Sequence, residues 1–285
     1  MRIDLHSHST ASDGTQPPAD VMRRARERGL DVLALTDHDT VAGHQAATDA
    51  LPAGLTLVPG MELSCHRSGR SIHLLAYLFD PADPELPAEC VRLREAREVR
   101  GRRTVERLVE LGVPVTWEQV TELAAGAPVG RPHIARAMVA AGAISDPALA
   151  FTPEWIGTGG RAHVPRYALD PERAVQLVRA AGGVAVLAHP KADQGGRSLP
   201  DEWIADLARA GLFGLETDHP EHDATAREHL RALAGDLGLA VTGASDDHGE
   251  LTGHRLGCET TAPEVYERLT AAATGATPIT SPAGR

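Results

Sequence analysis

Residues 3–8 read Ile-Asp-Leu-His-Ser-His, an apolar run that ends in two histidines separated by one residue. Side chains two positions apart on a β-strand project from the same face, so His6 and His8 can grip one metal ion through neutral imidazole nitrogens. A single histidine at the end of a strand is more often structural than a ligand. The pair therefore predicts a strand that delivers two metal ligands to one point.

Six further apolar runs follow, and helical stretches separate most of them. This alternation is the signature of βα units and predicts the α/β class with a parallel sheet or barrel. Pro17-Pro18 and Gly29 mark the start and the end of the first helix, because proline favours the first turn and glycine the position after the last. The predicted strands are Ile3–Leu5, Val32–Leu35, Leu55–Val58, Ile72–Leu78, Val184–Ala188, Leu212–Leu215 and Leu239–Thr242.

The middle of the chain breaks this alternation, since residues 85–161 contain no strand-like run. A long helix rich in Arg and Glu is predicted over about residues 87–111, and shorter helices follow it. We interpret residues 81–161 as an all-helical insertion that sets substrate specificity, within a metal-binding barrel formed by residues 1–80 and 162–285. Two independent domains are the alternative, which is disfavoured because the candidate site residues come from both flanking segments.

Histidines and acidic residues cluster near the ends of the predicted strands. In a parallel barrel the carboxyl ends of the strands meet on one face, where active sites are built. Core packing does not explain seven such clusters, so together they predict a multinuclear metal site. The clusters are His6-Ser7-His8 with Asp13, Thr36-Asp37-His38, Gly60-Met61-Glu62, Ile72-His73, Ala188-His189-Pro190, Leu215-Glu216 and Ser245-Asp246-Asp247-His248.

The composition narrows the class of protein. A balance of 28 basic and 39 acidic residues gives a net charge of −11, which argues against non-specific attraction to nucleic acid or membrane. Cys65, Cys90 and Cys258 form no CxxC pair, which favours a reducing compartment over a disulfide framework. No apolar stretch is long enough to cross a membrane, and polar chemistry begins at His6, so we expect a cytoplasmic protein without a signal peptide.

Read in order, the clusters resemble the motifs of the PHP (polymerase and histidinol phosphatase) superfamily. The resemblance runs along nearly the whole chain, and every ligand position of the family has an occupant. It implies a distorted (β/α)7 TIM-like barrel with a trinuclear metal site. The segments that carry it are His6-Ser7-His8, Ser12-Asp13-Gly14, Leu35-Thr36-Asp37-His38-Asp39, Gly60-Met61-Glu62-Leu63-Ser64, His73, Ala188-His189-Pro190 and Gly243-Ala244-Ser245-Asp246-Asp247-His248-Gly249.

The resemblance also implies three sets of ligands for three divalent ions, with Glu62 shared by the first two sets. Three carboxylates and three divalent cations would give the site a charge of about +3, so an acidic protein could attract phosphate at one point. Nitrogen and oxygen donors without thiolate suit Mn²⁺, with Zn²⁺ or Fe²⁺ as alternatives. The sets are His6, His8, Glu62 and Asp246; Glu62, His73 and His189; and Asp13, His38 and His248.

The only lysine of the chain bears on a neighbouring class of barrel. Amidohydrolase-like barrels share the first HxH motif but often bridge two metals with a carboxylated lysine. Lys191 follows His189-Pro190 and does not lie at a strand end suited to that role. Glu62 is the better bridge, so amide hydrolysis is disfavoured.

Arginines recur along the predicted long helix, where Arg94, Arg97 and, more loosely, Arg100 fall near one face. They either form a solvated basic face paired with glutamates or bind a second phosphate in the bidentate geometry of guanidinium groups. Arg131 and His133 open the next helix, and a helix N-terminus bearing such side chains is a plausible anion site.

This insertion is similar to that of the PHP branch of nucleoside 3′,5′-bisphosphate phosphatases, which includes ribonuclease AM-like 5′–3′ exonucleases. The resemblance implies hydrolysis of the 3′-phosphate of compounds such as 3′-phosphoadenosine 5′-phosphate, and trimming of short 5′-phosphorylated RNA. The expected partners are a nucleotide or short RNA, without a membrane or stable DNA binding. The catalytic candidates are Asp13, His38, Glu62 and His248, and the substrate-binding candidates are Arg94, Arg97, Arg100, Arg131, His133 and His222.

Three other functions stay open. A histidinol phosphatase-type monophosphatase is disfavoured by the Arg-rich insertion, and a polymerase proofreading exonuclease by the length of the chain. A non-catalytic regulatory module is disfavoured by the complete ligand set. We expect four acidic residues, Asp37, Asp39, Glu216 and Asp247, to orient the ligands. The histidines expected to be structural or at the surface are His44, His66, His163, His219, His229 and His254.

Overall fold

The computed structural model describes residues 1–124, 126, 129–165, 167–192 and 198–281. The chain divides into two compact units, the first made of Met1–Cys90 with Leu169–Arg285 and the second of Val91–Ala168. The predicted insertion spans residues 81–161, so both of its boundaries lie earlier than those of the second unit. Among the described residues, no helix combines the length and apolar character needed to span a membrane.

The first unit is a mixed α/β fold built on a nearly closed, barrel-like sheet. Seven strands follow one another in chain order around it, and an eighth pairs with the third. The backbone bridge between Ser7 and Asp247 links the segment after the first strand to the segment after the seventh. The strands are β1 (Ile3–Asp4), β2 (Val32–Leu35), β3 (Thr56–Arg67), β4 (Arg70–Tyr77), β5 (Val184–Leu187), β6 (Gly214–Asp218), β7 (Ala240–Gly243) and β8 (Ile279–Thr280).

The seven predicted strands are all present, but the expectation of a wholly parallel sheet is wrong at β4. This strand runs antiparallel to both β3 and β5. Ser68 and Gly69 connect β3 to β4 with φ of 47° and 85°, the left-handed backbone that a tight two-residue hairpin requires. Because the direction reverses, the start of β4, not its end, lies beside the ends of the other strands.

Helices and aliphatic side chains surround this sheet. Val21, Met22 and Ala25 of the first helix are buried among leucines of the neighbouring strands, since apolar residues three and four positions apart share a helix face. In the described part of both units, the α-helices are α1 (Pro18–Glu27), α2 (His44–Asp49), α3 (Glu85–Glu110), α4 (Trp117–Ala124), α5 (Arg131–Ala140), α6 (Pro171–Ala180), α7 (Asp201–Ala210), α8 (Ala224–Leu237) and α9 (Pro263–Ala272).

The second unit contains helices and, among its described residues, no strand. It holds most of α3, all of α4 and α5, and a 3-10 helix over Pro147–Phe151. Leu108, Ile134 and Met138 are fully buried in its own core. The unit therefore has a hydrophobic core made of local helix contacts.

Candidate metal centre

The strand ends of the first unit bring the predicted ligands to one place. His6 and His8 directly follow β1, and His38 follows β2. The backbone of His38 pairs with that of Glu62 in β3, so the two side chains are neighbours by strand register. His73 reaches the same place from the start of β4, because that strand runs antiparallel to both of its neighbours.

Glu62 lies at the centre, and its two carboxylate oxygens face different imidazoles. Oε1 lies 2.8 Å from Nδ1 of His73 and 3.2 Å from Nε2 of His189. Oε2 lies 3.3 Å from Nε2 of His6, 3.1 Å from Nε2 of His8 and 3.1 Å from Nδ1 of His38. The side chain is almost fully buried. One carboxylate thus addresses two groups of nitrogen donors at once.

Two aspartates complete the cluster. Asp246 Oδ1 lies 3.3 Å from the Nε2 atoms of both His6 and His8. Asp13 approaches His248, with Oδ1 at 3.4 Å from Nε2, and His38, with Oδ2 at 3.6 Å from Nε2. All nine predicted ligands are therefore engaged in one continuous network of imidazoles and carboxylates.

Among the described residues, three groups of donor atoms are compact enough to hold an ion, with all atoms of a group within 4.8 Å of one another. They differ in part from the sets that the resemblance implies, because His8 lies with the Asp13 set and His38 also lies with Glu62 and His73. The groups are His8, Asp13, His38 and His248; His6, His8 and Asp246; and His38, Glu62 and His73.

The donor chemistry fits divalent cations. Nδ1 of His6 lies 3.0 Å from Glu216 Oε1, so it donates its proton there and leaves a lone pair on Nε2. That Nε2 faces Nε2 of His8 at 3.0 Å and the oxygens of Glu62 and Asp246, all in a buried site. Acceptors converging out of reach of bulk water repel one another unless protons or cations lie among them. A buried Asp/Glu/His cluster of this kind is the donor set of first-row metal sites.

Without cations, protons must balance these charges, and the pKa values express this. Burial raises the pKa of Glu62, but the imidazoles of His38 and His73 outweigh burial and hold it well below its usual range. Burial lowers the pKa of His8, yet hydrogen bonds to Asp246 and Glu62 raise it to about 10. Burial lowers the pKa of His38 to about 4. The carboxylates stay ionised, as metal ligation requires.

Of the four acidic residues expected to orient ligands, Glu216 directly contacts a predicted ligand imidazole. It accepts from His6 Nδ1 and also from the backbone N–H of His189 at 2.9 Å. Asp37 instead accepts from the hydroxyls of Ser9 and Ser12 at 2.7 and 2.6 Å, and so shapes the loop that carries Asp13. Asp39 accepts from the backbone of Ser64, and Asp247 from the backbone of Gly249 and Arg255.

Three of the six described non-glycine residues with positive φ lie in these loops. Asp39, His189 and Asp246 have positive φ values of 54°, 28° and 49°, which non-glycine residues rarely adopt. Strained backbone persists where surrounding contacts enforce it, and it is typical of functional sites. His189 and Asp246 are themselves predicted ligands, and Asp39 directly follows the predicted ligand His38.

His219 belongs to the cluster, and the expectation that it is structural or at the surface missed this. Its Nδ1 accepts from the backbone N–H of Glu221 at 3.1 Å, which leaves the proton on Nε2. Nε2 lies 3.4 Å from Asp246 Oδ2, so His219 donates to the oxygen opposite the one that faces His6 and His8. Arg255 reaches the same oxygen at 3.4 Å. His219 directly follows β6, but the sixth strand was predicted to end at Leu215, four residues earlier.

Two other residues near the cluster, His222 and Lys191, have polar partners outside the predicted ligand set. His222 is buried, and its Nδ1 and Nε2 hydrogen-bond to the backbone of Thr217 and Lys191 at 2.9 and 3.2 Å. Substrate contact by His222 stays a prediction. Lys191 Nζ donates to Leu199 O and Asp201 Oδ1 at 2.6 and 2.7 Å, an ordinary ammonium pairing. Glu62, and not Lys191, lies between the two groups of imidazole nitrogens.

The remaining predicted substrate residues lie in the second unit. Arg94, Arg97 and Arg100 are half-buried on one face of α3. The guanidinium of Arg131 lies over the Phe151 ring at 5.7 Å, and His133 Nδ1 accepts from the backbone N–H of Gly130 at 2.9 Å, which caps α5. Their contact with substrate stays a prediction.

The fold and the cluster together define a barrel-like α/β protein with a candidate metal centre. The sequence profile of the PHP domain matches residues 4–108. A 5′-3′ exoribonuclease of Haemophilus influenzae is 34% identical over 252 residues, which cover 87% of this chain and 90% of that protein. The chain therefore belongs to the PHP family, and it is a phosphoester hydrolase.

Other relatives show the range of activities named within the family. A 3′,5′-nucleoside bisphosphate phosphatase of Chromobacterium violaceum is 33% identical over 89% of each chain. A phosphoribosyl 1,2-cyclic phosphate 1,2-diphosphodiesterase of Eggerthella lenta is 34% identical over 88% of this chain and 95% of that protein. The crystal structure of a protein described as a metal-dependent phosphoesterase, from Bifidobacterium adolescentis, matches with a TM-score of 0.86 at 33% identity, over 95% of this chain and 96% of that one.

Proposed function

We propose that this protein hydrolyses the 3′-phosphate of nucleoside 3′,5′-bisphosphates and trims short 5′-phosphorylated RNA from its 5′ end. The relatives named as a bisphosphate phosphatase and an exoribonuclease support this substrate class, since this chain matches nearly the full length of both. Both activities break a phosphoester bond of a nucleotide. One site that binds and polarises a phosphate group can therefore serve both.

The observation that carries the proposal is the orientation of Glu62. Its Oε1 faces His73 and His189 while its Oε2 faces His6 and His8. A carboxylate that addresses two nitrogen groups is suited to bridge two cations. We assign three divalent ions, with Mn²⁺ as first choice, to the three ligand sets that the resemblance implies, and His8 adds a contact to the third.

When bound, the ions lower the pKa of water towards neutrality and neutralise the phosphate oxygens. The protein residues position these charges. Glu216 and the backbone around Asp246 hold the imidazoles and carboxylates in one orientation, so little reorganisation is needed as charge develops on the phosphate. The buried cluster also excludes bulk water from the donor atoms, which strengthens each electrostatic interaction.

The departing ribose oxygen needs a proton or an equivalent positive charge. His248 is 17% exposed at its side chain and His38 is 10% exposed, so both border the accessible edge of the cluster next to Asp13. Together with Glu62, these three residues are our catalytic candidates. Nδ1 of His248 lies 3.1 Å from Asp246 O and donates its proton there, so Nε2, which faces Asp13 Oδ1 at 3.4 Å, would hold the cation that supplies this positive charge.

The test measures hydrolysis by purified, Mn²⁺-loaded protein across a panel of substrates, as released phosphate for the phosphomonoesters, as 5′-mononucleotides for the RNA and as ring-opened product for the cyclic phosphate. The panel contains a nucleoside 3′,5′-bisphosphate, a 5′-phosphorylated short RNA, histidinol phosphate and a ribosyl 1,2-cyclic phosphate. We expect the highest kcat/KM for the bisphosphate, followed by the RNA. A higher kcat/KM for histidinol phosphate or for the cyclic phosphate would contradict the proposed substrate class and favour that of the preferred compound. Absence of turnover on every substrate, with metal bound, would indicate a regulatory module.

A further inference from the structure

The second unit contains a basic cleft that the metal centre does not account for. A cavity of about 410 Å³ lies between one face of α3 and the segment that ends the unit. The helix contributes Arg92, Arg100 and Arg103, and a single acidic residue, Glu95. The described lining therefore carries two more positive than negative charges, in a protein whose net charge is −11.

The lining residues of α3 form one continuous stripe. From Arg92 to Arg103 they recur at intervals of one, three and four residues, the pattern of a single helix face. Eleven residues of α-helix rise about 16 Å. No single phosphate can bridge that length, so the three guanidinium groups suit a ligand with several phosphates in a row.

The opposite wall of the cleft is apolar and aromatic. Val164, Pro165 and Tyr167 line it, and Tyr167 is 48% exposed. On the helix side, Val99 is 51% exposed within the basic stripe. An accessible aromatic ring beside guanidinium groups is the combination that binds single-stranded nucleic acid, because bases stack on the ring while phosphates pair with arginine.

We propose that this cleft binds a single-stranded oligoribonucleotide, with its phosphodiester backbone along Arg92, Arg100 and Arg103 and a base against Tyr167. The cavity of about 410 Å³ takes one nucleotide, and the exposed side chains of Arg92 and Arg103 can contact the phosphates on either side of it. The inference deepens the proposed function, on which it rests, by naming the chain residues that would distinguish RNA from a mononucleotide.

The experiment compares two substrates on the Mn²⁺-loaded full chain over a range of salt concentrations. One is a 5′-phosphorylated RNA pentamer and the other a nucleoside 3′,5′-bisphosphate. For single strands, each lost phosphate contact reduces the slope of log affinity against log salt by about 0.7. In Arg92→Gln/Arg103→Gln we expect the slope for the pentamer to fall by about 1.4, and its kcat/KM relative to the bisphosphate to drop about tenfold.

The matched control is Arg136→Gln/Arg161→Gln, which removes the same charge from exposed positions of the same unit outside the cleft. We expect its slope and its substrate ratio to equal those of the unchanged protein. Arg92→Lys/Arg103→Lys keeps the charge and should restore most of the slope. Tyr167→Ala should weaken binding of the pentamer about fivefold or more. Tyr167→Phe should leave that binding unchanged, because stacking needs only the ring.

An unchanged salt slope in the double glutamine variant, or the same loss in its control, would overturn the proposal. Binding of a fluorescent pentamer, followed by anisotropy in EDTA with the same variants, separates the cleft from the chemistry. If the protein hydrolyses neither substrate but still binds the pentamer through Arg92 and Arg103, the proposed function fails and the cleft stands. If hydrolysis proceeds and neither pair of arginines matters, the cleft fails and the proposed function stands.

Discussion

The metal cluster of the first unit and the arginines of the second unit are fixed in different ways. The cluster residues are held by strand ends and loop backbone, and Glu62 and His6 are almost fully buried. The arginines lie half-buried or exposed along the single helix α3. A strand end fixes the position of a short side chain, whereas a helix face only limits where a long one can reach.

Substitutions in the metal cluster are therefore expected to change activity strongly, and substitutions of the arginines are expected to change it by graded amounts. Removing a buried ligand leaves the remaining charges uncompensated, and such losses are strongly destabilising or inactivating. Removing an exposed arginine costs little unless a ligand binds it. Variants in both regions can break or sharpen this distinction.

The largest effect is expected for Glu62→Gln. An amide has one neutral oxygen and places an NH₂ group against either His73 or His6, so it cannot serve two donor groups as the carboxylate does. We expect kcat to fall by about a hundredfold or more, with loss of two metals per chain. Activity assays and elemental analysis measure both. Near-normal activity with full metal content would contradict the bridging role, and Glu264→Gln, exposed on α9, is the control.

Metal removal should destabilise the protein in a pH-dependent way. A metal at a hundred times its Kd contributes about 2.7 kcal/mol to the free energy of unfolding. In the metal-free protein, His8 has a raised pKa of about 10, so its stabilising contribution is present below about pH 6.5 and is lost as the pH rises towards 10. The difference in Tm between Mn²⁺-loaded and metal-free protein should therefore widen from pH 6.5 to pH 8.5.

Hydrogen exchange locates that stabilisation. Mn²⁺ should slow exchange in the loops after β1, β2 and β7, which carry His8, His38 and Asp246. We expect much smaller changes in α4 and α5 of the second unit. A constant difference in Tm across the pH range would contradict the role given to His8. Uniform protection of both units would contradict the assignment of the metals to the first unit alone.

His219 should have an intermediate effect, because it acts through Asp246. His219→Phe removes the donor to Oδ2 and leaves that buried oxygen with Arg255. Loss of such an outer hydrogen bond typically reduces metal affinity or activity by about 10–100-fold. His219→Asn keeps an N–H donor and should recover part of the metal affinity measured by titration. Equal losses in both variants would point to packing alone, and His66→Asn, at an exposed position, is the control.

Much of the barrel could be predicted because its signals are local. Apolar runs bounded by polar residues located all seven strands, and His6 with His8 followed from the two-residue period. The reversal at β4 was missed because the third strand was predicted to end at Val58, whereas β3 continues to Arg67 and meets the two-residue turn at Ser68 and Gly69. The two-residue strand β8 is too short to carry a periodic pattern.

The candidate site shows the same limit. The sixth strand was predicted to end at Leu215, but β6 continues to Asp218 with an irregular register between Glu216 and Asp218. This shift brings His219 to a strand end, so the rule that selected the other histidines would have selected it with the right boundary. On α3, periodicity placed Arg94, Arg97 and Arg100 on one face, yet only Arg100 of these lines the described cleft, with Arg92 and Arg103. Helical spacing alone does not distinguish neighbouring faces.

The smallest effects are expected for the predicted phosphate-binding arginines. Arg97→Gln should raise the KM for a nucleoside 3′,5′-bisphosphate about three- to tenfold, as for one charge-assisted hydrogen bond, and leave kcat nearly unchanged. Arg131→Gln should raise it less, because part of the Arg131 side chain is already committed to the Phe151 ring. An aryl phosphate has no second phosphate, so its KM should stay constant in both variants. Equal changes in KM for the two substrates would remove these arginines from phosphate recognition, and Arg161→Gln provides the matched loss of charge.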